Sequence, residues 1–164
     1  MRTVLIFLLI CFTVPDLALA WPGRVIAVSD GDTISVEPVA GGDIVKVRLH
    51  GIDCPERKQA SGETARFFVN ELVLFQTVEI DEQPGGRDER NRDRYGRTVA
   101  IVYLANGECL QAELLKAGLA WVWPRYCRNC PEWARLQQEA AATRRGLWAE
   151  ETPIPPWEWR NRRR

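Results

Sequence analysis

The sequence predicts an α+β, mainly β fold: five short strands curled into a small barrel, with about three helices. Two observations carry this. Short β-prone runs recur between turn signals, and apolar residues at helical spacing fall between and after them. Arg24–Val28 and Thr33–Val36 are the first two runs, separated by the turn Ser29-Asp30-Gly31-Asp32. Ala40-Gly41-Gly42-Asp43 turns the chain into a third run, Val45–Leu49, whose alternation puts Val45, Val47 and Leu49 on one face and Arg48 on the other. Ser61 reads as an N-cap, and Ala65, Phe68, Val69, Leu72 and Val73 follow at helical spacing, which predicts a helix over 62–74. Thr77–Ile80 is a fourth strand and Arg97–Leu104 a fifth, with a polar, arginine-bearing loop from Gln83 to Arg94 between them.

Leu110, Leu114 and Leu115 lead a short helix that stops at Gly118. Leu119–Trp123 is apolar and extended. A last helix is predicted from Pro131 to Gly146, with Trp133, Leu136 and Ala140 as its inner stripe and Arg144 and Arg145 in its final turn. Beyond Glu151 the chain is rich in Pro, Trp and Arg, and is expected to run as a stiff segment along the surface. Five strands with a helix between the third and fourth suggest a Greek-key barrel of the OB type, an architecture that binds oligonucleotides and oligosaccharides on one face.

The chain has 164 residues, enough for one domain with a real core. Lys+Arg and Asp+Glu are equal at 22 each. Permanent, nonspecific polyanion binders are usually strongly basic, so any nucleic-acid contact here must come from a local patch. Arginine dominates, since Lys46, Lys58 and Lys116 are the only lysines, and its planar fork suits bidentate phosphate recognition.

Residues 1–20 read as a secretory signal: Arg2, an apolar stretch from Val4 to Val14, and the small-x-small site Ala18-Leu19-Ala20. Export to the periplasm or the medium is expected, with a mature chain starting at Trp21 and no membrane span. Cleavage removes Cys11 and leaves Cys54, Cys109, Cys127 and Cys130. An even number in an exported chain suggests disulfides, with three connectivities open. Cys127-x-x-Cys130 also has the spacing of half a zinc site. The only histidine is His50, which leaves zinc short of ligands and favours a disulfide or redox-sensitive pair.

Arg48, Asp53 and Glu56 sit on one strand end and the loop after it, with Gly51 and Pro55 tightening that loop. A cation beside acids at a rigid strand end suits electrostatic and acid–base chemistry. Asp30 and Asp32 flank Gly31 in the first turn. If the two turns lie side by side, three carboxylates converge on a hard-oxygen site for Ca²⁺ or Mg²⁺. Asp93-Arg94-Tyr95-Gly96-Arg97 is the third piece. It sets Arg97 at the start of a strand, where it is expected to face Arg48 across a cleft, beside an exposed Tyr95.

Three segments together resemble the staphylococcal nuclease (thermonuclease-like) family: Asp30-Gly31-Asp32-Thr33, Arg48-Leu49-x-Gly51-Ile52-Asp53-x-Pro55-Glu56, and Asp93-Arg94-Tyr95-Gly96-Arg97. Gly118–Val122 and Arg145–Trp148 are also similar to that family. The resemblance covers about Arg24 to Trp148. It divides the chain into a signal peptide (1–20), a nuclease-like OB-fold domain (21–150) and a tail (151–164) to which nothing carries over.

The resemblance implies a Ca²⁺-dependent phosphodiesterase that cuts DNA and RNA endonucleolytically with little sequence preference, as a monomer without a stable protein partner. One ion is implied, with Mg²⁺ or another divalent ion as a substitute. Asp32, Asp53 and the backbone carbonyl of Cys54 become its ligands, and Asp30 joins them directly or through water. Glu56 becomes the base or water-orienting group, Arg48 and Arg97 the phosphate clamps, and Arg94 and Tyr95 contacts to a neighbouring phosphate. Cys54 stands where the prototype has threonine, which preserves a carbonyl ligand and puts a thiol, or a disulfide, beside the metal loop. The alternative is a noncatalytic OB-type nucleic-acid-binding module. Such modules typically lose the acids or arginines, all of which are present here. A redox or metal-scavenging role for Cys127 and Cys130 lacks a thioredoxin-like βαβ context.

Overall fold

A computed structural model describes residues 20–83 and 92–162. The leader expected over 1–20 falls almost wholly outside the described residues, as do Arg87 and Arg90 of the polar loop. Among the described residues no helix is long and apolar enough to cross a membrane.

The five expected strands close into a barrel. They are β1 (Trp21–Asp30), β2 (Thr33–Pro38), β3 (Val45–Leu49), β5 (Thr77–Glu82) and β6 (Thr98–Tyr103), in the spatial order β1-β2-β3-β6-β5. The last barrel strand thus lies between the third and fourth, paired parallel to β3 and antiparallel to β5. This is the OB arrangement expected from the sequence. Strand β1 pairs with β5 through its first four residues and with β2 from Gly23 onward, so Gly23 and Arg24 pair on both sides. Two register irregularities, between Val25 and Ala27 and between Val28 and Asp30, bend it, which lets one strand serve two neighbours around a tight barrel.

Alternation fills the interior as expected: Val25, Ile34, Val36, Val47, Leu49, Val78, Ile80, Ala100 and Val102 are all buried. Helix α1 (Gly62–Val73) adds Ala65, Val69 and Val73 from one face. Helix α2 (Leu110–Lys116) adds Leu110, Leu114 and Leu115. Each such side chain contributes about 1.5–3 kcal/mol by leaving water. Gln111, also fully buried, is kept satisfied by accepting from the Val102 N–H and donating to the Ala100 carbonyl.

A second, two-stranded sheet matters more for the site. It pairs β4 (Ile52–Asp53) antiparallel with β7 (Trp121–Val122), setting Asp53 opposite Trp121. The Trp123 N–H donates to the Gly51 carbonyl at 2.8 Å and continues this seam. Gly51 has φ 72 and a Cβ there would lie 2.7 Å from the Trp133 ring, so only glycine fits. The chain of Leu119–Trp123, legible only as apolar and extended, therefore clamps the loop that carries Asp53. After Trp123 the chain turns through a disulfide between Cys127 and Cys130 into helix α3 (Pro131–Ala142).

Arg48, on the face opposite Val47 and Leu49, is only 8% exposed, because its side chain folds onto the β3–β4 turn. Three expectations are corrected. Ser61 sits at the N-cap of α1 but in the left-handed region, with φ 63 and no side-chain cap. There the chain arrives through stacked tight turns, Gln59 N–H to Glu56 O and Gly62 N–H to Gln59 O. The last predicted helix stops at Ala142 rather than Gly146. The Thr143 hydroxyl donates back to Glu139 O and Arg144 takes φ 51, so that the 3₁₀ turn Gly146–Ala149 packs against Gly118. The tail, expected as a stiff surface segment, contains a further helix, α4 (Pro156–Arg162).

Gly62 holds the Glu56 loop in place, since a Cβ there would lie 2.0 Å from the Glu56 carbonyl oxygen. Gly62→Ala is expected to lower the unfolding free energy by about 1–3 kcal/mol, as overpacking does. Urea denaturation checks this, and an unchanged midpoint would contradict the contact.

Candidate active site

The site lies at the mouth of the barrel, where the β1–β2 turn, the end of β3 and the start of β6 come together. It is built around Arg48. One guanidinium nitrogen, Nη1, donates to Leu49 O at 2.9 Å and lies 3.2 Å from Asp32 Oδ2. The other, Nη2, donates to Ile52 O at 3.0 Å and to Asp53 Oδ1 at 2.9 Å. Burial works against this cation, but Asp32 and Asp53 outweigh it and raise its pKa. The same guanidinium thus fixes a turn through two carbonyls and gathers two acids through salt bridges.

Asp32 is 7% exposed and is spent on structure as well. Its Oδ2 accepts from the Cys54 N–H at 2.9 Å, and its Oδ1 accepts from the Thr33 hydroxyl. Asp30 accepts from the Asp32 N–H at 3.0 Å. Burial first, and then the neighbouring Asp32 charge, push the Asp30 carboxyl up to about 7. Burial likewise pushes Asp53 up, while hydrogen bonds from Arg160 and the Arg48 charge pull it down. The two turns carrying Asp30, Asp32 and Asp53 do lie side by side, joined by the Asp32–Cys54 bond and by Arg48.

Arg97 reaches the site through Thr33, donating from Nη1 to Thr33 Oγ1 at 3.0 Å. Asp93 aims it: Arg97 Nε and Nη2 lie 2.8 and 2.7 Å from Asp93 Oδ2, while Asp93 Oδ1 accepts from the Tyr95 and Arg97 N–H groups. Burial would raise the Asp93 carboxyl, but those hydrogen bonds outweigh it and hold it below the usual range. Tyr95 is 67% exposed, and both Arg94 and Arg97 lie over its ring, at 4.7 and 5.4 Å. Arg94 and Tyr95 are therefore joined to the acids by way of Arg97.

Cys54 is a free, buried thiol. Burial, and then the Asp32 charge, push it well above its usual pKa, which makes it unreactive. Its side chain packs against Gly31, where a Cβ would come within 3.0 Å of it.

Sequence reasoning missed three residues. Asp93 was part of a motif but had no role. Thr33 links Arg97 to Asp32. Arg160, from α4, lies more than a hundred positions along the chain from the acids it meets. Its Nη2 is 2.7 Å from Asp53 Oδ2 and its Nη1 is 2.8 Å from Glu56 Oε1. Burial opposes its charge, and hydrogen bonds to Asp53 and Glu56 more than compensate, raising its pKa. The signals for α4 were Pro156 at a helix start and a Glu158/Arg162 pair at i, i+4. No local pattern pointed to where Arg160 would land.

Comparison with known proteins shows the family. Residues 46–150 match the family model described as "Staphylococcal nuclease homologue". The chain belongs to the staphylococcal nuclease family. An "Uncharacterized endonuclease" of Escherichia coli O157:H7 is 37% identical over 163 residues, 99% of this chain and all of the relative. A Haemophilus influenzae protein, also described as "Uncharacterized endonuclease", is 36% identical over 84% of this chain and 71% of its own. "Micrococcal nuclease" of Shigella flexneri is 33% identical over 84% of this chain and 79% of its own.

The donors present suit the hard cation that the family resemblance implies. Asp30, Asp32, Asp53 and the Cys54 carbonyl offer oxygen alone, the ligand type of Ca²⁺ and Mg²⁺. When ionised, four carboxylates, including Glu56, meet two guanidinium groups here. Burial first, and then the Asp32 charge, push the Asp30 carboxyl up to about 7. Among the described residues no three acids, histidines or cysteines are already gathered as a metal cluster. Asp53 faces guanidinium groups with both oxygens, and Asp32 divides its own between Arg48, Cys54 and Thr33.

Arg48→Ala leaves Asp32 and Asp53 buried without their common cation, and is expected to lower the unfolding free energy by about 3–5 kcal/mol in urea melts. His50, next to β3, has a buried Nδ1 without a hydrogen-bond partner. Burial and then the Arg48 charge lower its pKa below 6.5, with the Tyr126 backbone opposing them. The folded chain therefore binds fewer protons than the unfolded one. The resulting stability is present above about pH 6.5 and is lost as pH falls through the folded-state value. His50→Gln should remove this component, so the stability difference between wild type and variant should change from pH 7.5 to pH 5.5. A constant difference would refute it.

Proposed function

We propose that this nuclease, a phosphodiester hydrolase, is exported and cuts DNA and RNA endonucleolytically with little sequence preference, using one Ca²⁺ ion. The observation that carries the reading is the continuous run of polar contacts at the barrel mouth, Arg97 to Thr33 to Asp32 to Arg48 to Asp53. That run links two arginines to the acids at one end of the barrel, which supports substrate binding on the face where OB barrels take oligonucleotides. The leader expected at 1–20 and the Cys127–Cys130 disulfide favour an oxidising compartment, periplasm or medium.

Asp32, Asp53 and the Cys54 carbonyl would hold the ion, with Asp30 joining directly or through water. Bound there, a divalent cation supplies charge neutralisation and polarisation of a phosphoryl oxygen or water. Arg97, aimed by Asp93, and Arg48 bind the non-bridging oxygens of the scissile phosphate and stabilise the charge that grows on them as water attacks in line. Asp93 holds Arg97 in place, so that guanidinium needs little reorientation during the reaction, whereas Arg48 meets the phosphate by exchanging one of its protein partners for it. Glu56 orders the attacking water on the opposite side of the phosphate. Tyr95 and Arg94, exposed at the rim, meet the next phosphate along the strand. The chain acts as a monomer, with substrate as its only partner.

Cleavage of plasmid DNA and of RNA should require Ca²⁺, stop with EDTA, and be only partly supported by Mg²⁺. Arg97→Ala should lower kcat by about 10²–10³ and Glu56→Gln by about 10²–10⁴. Undiminished activity in both variants, or in EDTA, would rule the mechanism out.

A further inference from the structure

The seven-residue helix α4 is too short to be stable alone, so its position depends on what it docks against. Three contacts hold it. The Gln59 side-chain amide donates to the Ile154 carbonyl just before it. The Trp157 ring stacks nearly parallel to Trp123 at 6.4 Å and meets Trp121 edge-on at 6.0 Å. Arg160 crosses the face of Trp123 at 5.7 Å and ends on Asp53 and Glu56. Docking also leaves the Trp159 indole N–H buried without an acceptor, a cost that weakens the docked state.

The contact made by Arg160 is unusual in its target. Asp53 is 1% exposed, and Arg48 already holds its Oδ1. Arg160 takes the remaining Oδ2 at 2.7 Å and the Glu56 oxygen at 2.8 Å. These are the oxygens that the reading above assigns to the cation and to the water. A guanidinium on Asp53 Oδ2 and Glu56 Oε1 and a divalent ion with its water would bring like charges to the same two carboxylates, so each weakens the hold of the other.

We infer that α4 is an autoinhibitory strap, with Arg160 a built-in counter-ion that competes with the divalent cation for Asp53 and Glu56. The inference rests on the metal reading of the site. Binding of the cation expels Arg160, and release of the strap frees the Glu56 oxygen that Arg160 holds. By linkage, anything that weakens strap docking tightens cation binding, and the cation in turn loosens the strap.

The test uses the full chain as wild type, Arg160→Gln and Trp157→Ala, each shown to melt cooperatively. Ca²⁺ affinity is measured by calorimetry, and hydrogen exchange is followed across 156–162 with and without Ca²⁺. Both variants should bind Ca²⁺ about tenfold or more tighter than wild type, within the usual range of such couplings. In wild type, Ca²⁺ should speed exchange in α4. Equal or weaker binding by folded Arg160→Gln would overturn the strap, as would slower α4 exchange with Ca²⁺. A wild type that binds Ca²⁺ and cleaves nucleic acid, beside an unchanged Arg160→Gln, overturns the strap alone. A wild type that does neither removes the metal reading, and the strap with it.

Discussion

A guanidinium group nearly sealed from water must have every N–H satisfied and its charge balanced, and the site of this protein follows from how Arg48 meets that demand. It cannot do so from β3 alone. It takes the carbonyls of Leu49 and Ile52, which curls the chain immediately after the strand, and it takes Asp32 and Asp53, which belong to two different turns. The first pair fixes the loop and the second pair gathers acids that would otherwise repel. The like charge of Asp32 is the second cause of the elevated Asp30 carboxyl. A lysine would carry the charge but not the fork, and would meet at most part of this set.

Around that cation the site is a linked series rather than a cluster. Asp93 aims Arg97, Arg97 meets Thr33, and Thr33 donates to Asp32. At the other end Arg160 closes over Asp53 and Glu56. The scaffold explains why these contacts are held firmly. Asp32, Arg48 and Arg97 sit at or next to the ends of barrel strands, and Asp53 is paired through β4 to β7. The side chains with most freedom, Tyr95 and Arg94, stand at the rim, where an extended polyanion would pass.

The barrel was legible because its strands alternate and its turns are marked by glycine and asparagine or aspartate. The acids and arginines were legible because their residue types and order form a pattern. Less was readable where a residue departed from its local period. Arg48 occupies an outward position by alternation, yet is buried, since paired charges outweigh the cost of leaving water. The last long helix had the composition to continue to Gly146. It ends at Ala142 because the following turn packs on Gly118, a contact set by a distant part of the chain. The tail offered a weak helix signal and nothing that located it.

The sequence by itself determined the five strands, the helices that cap them, and the set of acids and arginines that form a nucleic-acid-cleaving pattern. Those properties are carried by short-range periodicity and by residue chemistry, which need no partner to be read. Only the tertiary structure decided that Asp53 is pinned by Trp121, that Arg97 reaches Asp32 through Thr33, and that Arg160 lies on Asp53 and Glu56. These are pairings across 64 to 107 residues of chain. Their physical cause is closure of the barrel and docking of the aromatic C-terminal segment, which bring together charges that no local rule relates.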